Sequence, residues 1–185
     1  MGDSRPAVFF DRDGVLNAAI VRAGKPYPPI SLAELRITSG APAALDALVG
    51  AGFLLVGVTN QPDVARGTQR REVVEAIDRA LLAALPLSDI LVCYHDDPDG
   101  CACRKPRPGL LLAAARRYAI DLSRSFLVGD RWRDVEAGDN AGCRTVFIDH
   151  GYTAEKLERT PDRTVGSLDE AVVWILGQAR AKVSP

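Results

Sequence analysis

The sequence predicts an α/β protein: a mostly parallel sheet with helices on both faces. Three observations lead there. Short apolar, β-branched runs alternate with segments whose apolar residues recur every three or four positions. Successive apolar runs give way to charged or polar residues, as strands do when they end on one binding edge. No repeat, low-complexity tract or linker divides the 185 residues, so one domain over 1–185 is expected.

Each element has its own signal. Val8-Phe9-Phe10 reads as a buried strand that stops at Asp11-Arg12-Asp13-Gly14. Ala18 to Ser39, with Gly24 and Pro26, Pro28 and Pro29, reads as a long surface loop. Pro42 to Val49 reads as a helix with proline in its first turn, ended by Gly50 and Gly52. Phe53 to Val58 is a second strand, ending at Thr59-Asn60-Gln61. Thr68 is placed to cap a helix running to about Leu85, with an apolar face of Val73, Ile77, Ala80, Leu81 and Ala84. Ile90-Leu91-Val92 is a third strand, followed by a cysteine-rich loop and a helix from about Pro108 to Tyr118. Ser125 to Val128 and Thr145 to Ile148 are the fourth and fifth strands, with a helix to about Ala141 between them. Ser167 and Glu170 form a capping-box pattern ahead of a closing helix that buries Leu168, Ala171, Val172 and Ile175.

The formal net charge of −1 gives no footprint for nucleic acid or an anionic membrane. The apolar runs are too short to span a bilayer, and Met1 to Pro6 carries no apolar signal core. A cytoplasmic monomer is the expectation.

Chemistry enters where the strands stop. Asp11 and Asp13 are two apart, so on an extended chain both side chains point the same way. Two close carboxylates need a cation, and hard oxygen ligands suit Mg²⁺. Thr59 with Asn60, Arg104 with Lys105, and Asp130 with Asp134 follow later strands. Carboxylates, a hydroxyl and a lysine converging on one edge make a site for handling phosphate on a metal. A second set is Cys93-x-His95 with Cys101-x-Cys103, a closed group of one imidazole and three thiolates suited to structural Zn²⁺. It would staple the loop that delivers Arg104 and Lys105. Cys143 stands apart and reads as a small buried hydrophobe.

Taken together, Asp11-x-Asp13-Gly14, Thr59-Asn60, Lys105-Pro106 and Gly129-Asp130-x-x-x-Asp134 resemble, in order, the four motifs of the haloacid dehalogenase superfamily. The resemblance implies a Rossmann-like three-layer sandwich and Mg²⁺-dependent phosphoryl transfer through an aspartyl-phosphate. It implies Asp11 as nucleophile, Asp13 as acid–base, and Thr59 and Lys105 on the phosphate oxygens. It places Mg²⁺ on Asp11, the Asp13 carbonyl and Asp130, with Asp134 orienting Lys105 or the metal's waters. The cysteine loop narrows the resemblance to phosphatases of small metabolites, with substrate contacts expected from Asn17, Asn60, Gln61, Arg66, Arg104 and Arg131. Neither usual insertion point holds a domain-sized segment, so a capless, open site is expected. A phosphotransferase shares the nucleophile chemistry. A non-catalytic binding domain would have lost Asp11 or Asp130, and both are present.

Overall fold

The structure, a computed structural model, describes residues 4–153 and 156–181. Strand β1 (Ala7–Phe10) is wholly buried, and its alternating side chains feed two cores. Val8 and Phe10 pack on one face of the sheet with Leu45, Leu55, Val128 and Ile175. Ala7 and Phe9 pack on the other with Val56, Leu111, Ala114 and Leu127. A strand covered on both faces has no polar face, which explains the unbroken apolar run.

After β1 the chain makes a small antiparallel hairpin, β2 (Ile20–Arg22) with β3 (Lys25–Tyr27). Helix α1 (Ala41–Gly50) then leads to β4 (Leu54–Asn60), and α2 (Arg71–Ala84) to β5 (Asp89–Cys93). Helix α3 (Gly109–Tyr118) precedes β6 (Phe126–Gly129), α4 (Trp132–Ala141) precedes β7 (Arg144–Ile148), and β8 (Arg163–Val165) precedes α5 (Leu168–Ala181). The six-stranded sheet runs β5-β4-β1-β6-β7-β8, and every pairing in it is parallel. The chain winds outward from β1 through β4 and β5, then returns to place β6 on the other side of β1. That reversal opens a crevice at the carboxyl ends of β1, β4 and β6, where α/β sheets bind ligands.

The α/β class and alternating order stand as expected, with four local corrections. The stretch predicted as loop contains the β2–β3 hairpin, whose turn uses positive φ at Ala23 and Gly24 (49° and 72°). Strand β4 continues through Thr59 and Asn60, which pair with Val92 and Cys93 of β5. Thr68 does not cap α2: the N-cap is Arg70, and the Thr68 hydroxyl donates to the Asp63 carbonyl. Ser167 accepts from the Glu170 N–H, but Glu170 reaches back to Gly166 rather than to Ser167. Among the described residues no helix is long and apolar enough to cross a membrane.

Candidate active site

Asp11 follows β1 directly, and its N–H donates to the Val128 carbonyl of β6. This fixes it between the ends of two strands. Asp130, after β6, and Asp134, in the first turn of α4, bring carboxylate oxygens within 4.8 Å of Asp11's. Two glycines make the approach possible. A Cβ at Gly14 would lie 2.0 Å from Asp130 Oδ2, and one at Gly129 would lie 2.2 Å from Asp134 Cβ. Gly14 also has φ +93°, a conformation side chains disfavour.

Lys105 enters this acidic cluster from the cysteine loop and is almost fully buried. Its Nζ donates to Asp11 Oδ1 at 2.8 Å, to the Val58 carbonyl at 2.8 Å and to Asp134 Oδ1. All three ammonium protons are therefore engaged. Asn60 holds the loop in place: its amide accepts from Lys105 N–H at 3.1 Å and donates to Lys105 C=O at 3.0 Å. The Lys105–Pro106 peptide bond is cis.

Burial pushes the Asp11 carboxyl up to about 6; Lys105 opposes that rise and Asp134 adds to it. Asp130 is raised well above the carboxylate range, by burial first and then by Asp11 and Asp134. Burial opposes the charge on Lys105, but Asp11 and Asp134 more than offset it and raise its pKa. The buried oxygens of Asp130 make no hydrogen bond of good geometry, with the Tyr152 hydroxyl near them. The Tyr152 hydroxyl shares its surroundings, and burial and Asp130 raise that hydroxyl's pKa. One ammonium facing three carboxylates, with an orphaned buried carboxylate among them, fits one divalent ion with oxygen ligands.

Asp13 lies beside this cluster on a bed the sequence did not reveal. Arg12, with no exposed surface, donates from Nε to both Asp13 oxygens at 3.2 Å and from Nη2 to Oδ2 at 3.0 Å. Asn17 donates to Asp13 Oδ1 at 3.1 Å and Gln61 to Oδ2 at 2.7 Å. Gln61 donates also to the Thr59 hydroxyl. Asn17 is fully buried, so the expected substrate contact there becomes a contact that holds Asp13.

A cleft of about 380 Å³ opens over these groups. Asp11, Asp13, Thr59, Asn60, Gln61 and Lys105 form its floor, and Arg66, Arg104, Arg131 and Arg133 its rim, with Pro26 and Tyr27 of β3 on one side. The rim arginines are not idle. Arg66 grips Asp96 with Nε at 2.6 Å and Nη2 at 2.7 Å, and reaches Asp63 at 3.3 Å. Arg104 donates to Asp97 at 2.7 Å, and Arg133 meets the same carboxylate at 3.1 Å. Arg133 also stacks over Trp132.

Cys93, at the end of β5, gathers His95, Cys101 and Cys103. Sulfur–sulfur separations are 3.1 to 3.7 Å, and His95 Nδ1 lies 3.3 and 3.6 Å from the Cys103 and Cys93 sulfurs. Disulfide sulfurs would be about 2.05 Å apart. A tetrahedral ion with ~2.3 Å bonds to sulfur puts its sulfurs roughly 3.8 Å apart, so the cluster fits Zn²⁺. Burial raises the Cys101 thiol, but hydrogen bonds from Cys103 and from the Arg104 and Cys103 N–H groups bring it down to about 7.

Carboxylates at the ends of adjacent parallel strands, with a buried lysine between them, define the class as a phosphate-handling hydrolase of the haloacid dehalogenase type. A HAD-hydrolase-like family model matches residues 102–171. The D-glycero-β-D-manno-heptose-1,7-bisphosphate 7-phosphatase of Rhodopseudomonas palustris is 37% identical over 75% of this chain and 80% of its own. The Helicobacter pylori enzyme of the same name is 35% identical over 91% and 96%. Among solved structures, the D,D-heptose 1,7-bisphosphate phosphatase of B. bronchiseptica, complexed with magnesium and phosphate, superposes with a TM-score of 0.78 at 30% identity, covering 94% and 99% of the two chains. The chain belongs to this family of heptose-1,7-bisphosphate 7-phosphatases within the haloacid dehalogenase-like hydrolases.

Proposed function

We propose that the chain is an Mg²⁺-dependent phosphatase that removes the 7-phosphate of D-glycero-D-manno-heptose 1,7-bisphosphate. The observation that carries the reading is the Asp11 carboxylate, held 2.8 Å from Lys105 Nζ, beside the buried Asp130 carboxylate, whose oxygens make no hydrogen bond of good geometry. Kinship supports the substrate: relatives at 35–37% identity carry that activity in their names.

Asp11 attacks phosphorus in line, forming a P–O bond as the sugar alkoxide leaves. Asp13 gives that alkoxide its proton, then takes one from the water that hydrolyses the acyl phosphate. Thr59 and Lys105 hold the equatorial oxygens, and Asp134 keeps Lys105 aimed at Asp11. Asp11, Asp130 and the Asp13 carbonyl would hold Mg²⁺, which neutralises charge between carboxylate and phosphate. Cys93, His95, Cys101 and Cys103 would hold a structural Zn²⁺ that keeps the Lys105 loop in register.

Asn60, Gln61, Arg66, Arg104 and Arg131 border the space a substrate would fill. Arg66 and Arg104 already hold carboxylates, so a second phosphate binds by exchange, displacing Asp96 or Asp97 from an arginine fork. Those same carboxylates offer a second reading, histidinol phosphate, whose cationic amine they would attract. The test is kcat/KM for both substrates in wild type and Arg66→Ala. The bisphosphate should win in wild type and lose most of its lead in the variant. Faster turnover of histidinol phosphate by wild type overturns the assignment. Recovery of the phosphate as a sugar ester rather than as free phosphate would instead make the enzyme a phosphotransferase.

A further inference from the structure

Among the described residues Arg12 is the largest fully buried side chain, and its guanidinium is divided between two carboxylates. One edge, Nε and Nη2, faces Asp13. Nη1 faces Asp78 Oδ1 at 2.9 Å. Asp78 sits on α2, 66 residues further along the chain, on a face otherwise made of Val74, Ile77 and Leu81. It is 7% exposed and outside the cleft lining. A carboxylate on the apolar face of an amphipathic helix needs a reason. Stability is a poor one, since a buried ion pair loses in desolvation much of what it gains in attraction.

We infer that Asp78 is a positioning residue for the acid–base step: it anchors Arg12, which in turn fixes the carboxylate of Asp13. This rests on the phosphatase reading above. The geometry explains why a long arginine is used. Its planar fork sets both the place and the plane of the Asp13 carboxylate, and a fork held at one end only can pivot. Asp78 supplies the other end from the rigid middle of a helix. Asn17 and Gln61 each add a contact to one Asp13 oxygen, and the carboxylate keeps an open edge on the cleft.

A group that serves proton transfer matters most when the leaving group is a poor one. Departure of a sugar or other alkyl alkoxide needs the Asp13 proton, whereas p-nitrophenolate leaves without it. The ratio kcat/KM reports steps up to the first irreversible one and so excludes hydrolysis of the phospho-enzyme. The experiment compares kcat/KM for heptose bisphosphate, a simple alkyl phosphate and p-nitrophenyl phosphate in wild type, Asp78→Ala and Asp78→Asn. Asp78→Ala should lower the alkyl values by ~10–100-fold, the size of effect expected from misplacing a catalytic group by a fraction of an ångström or more. The aryl value should fall by less than ~3-fold, since positioning of the acid is not needed there. Asp78→Asn, whose amide oxygen can still accept from Nη1, should recover most of the loss. If Asp78→Ala does not fold, Arg12→Lys carries the test, because an ammonium keeps the charge but loses the fork. Equal losses on alkyl and aryl substrates, or none, overturn the inference while leaving the phosphatase reading intact. A wild-type enzyme inactive on all three substrates overturns both.

Discussion

Asp11 and Asp13 carry different burdens, and single atoms separate them. Asp11→Asn keeps the volume but cannot form an acyl phosphate, so turnover should vanish while the melting transition survives; steady-state phosphate release and circular dichroism check this. Asp13→Asn should retain a trace, ~10²–10⁴-fold down, as expected for loss of an acid–base group. Gly14→Ala should be nearly as damaging from a position with no chemistry. Its methyl would enter the space of the Asp130 carboxylate, 2.0 Å away, so the Mg²⁺ concentration giving half-maximal rate should rise at least tenfold, as for a displaced metal ligand. An unchanged Mg²⁺ requirement would mean that Asp130 is not a ligand. The residues at the strand ends were legible in the sequence because a charge that interrupts an apolar run stands out. Arg12 was not: an arginine between two aspartates looks like a solvated turn, and its partner Asp78 is 66 positions away. Asp96, 30 positions from Arg66, and Asp97, 7 positions from Arg104, were hidden as partners because they sit in an acidic turn that reads as solvated.

At the scale of elements, the cysteine loop links structure to chemistry. Its first cysteine, Cys93, is the last residue of β5 and pairs with Asn60 of β4. Asn60 in turn holds both backbone polar groups of Lys105. A change at the cluster is thus transmitted to the lysine through one strand pair and one amide. The purified protein should carry about one zinc per chain, as the four-ligand count requires. Cys101→Ser should lower kcat several-fold and leave the Mg²⁺ dependence unchanged; elemental analysis and a Mg²⁺ titration check the two halves. Elements with long apolar patterns were legible to within a few residues. The β2–β3 hairpin was not, because it is short and half exposed and contains Pro26, so no core imposes an alternating pattern on it. Strand β8 escaped for a similar reason: only Val165 of its three residues is buried.

Across the whole molecule, the sheet separates stability from reactivity. The two cores lie on its faces, and the reacting groups stand at its carboxyl edge. Leu45→Ala in α1, at a fully buried position, should cost ~2–5 kcal/mol in urea unfolding, as for other large-to-small core changes. Its kcat, measured on the folded enzyme, should stay within about twofold of wild type, in line with additivity for distant sites. A large fall in kcat would mean that the face and the edge are mechanically coupled.

The saturated ammonium of Lys105 has a consequence for what happens after catalysis. Every proton it carries is committed inside the protein before any anion arrives. Free phosphate must therefore compete with Asp11, Asp134 and the Val58 carbonyl for that charge, and it brings no sugar to help it stay. The lysine serves substrate passing through more than product lingering, and an enzyme built this way should keep working in a medium already rich in the anion it releases.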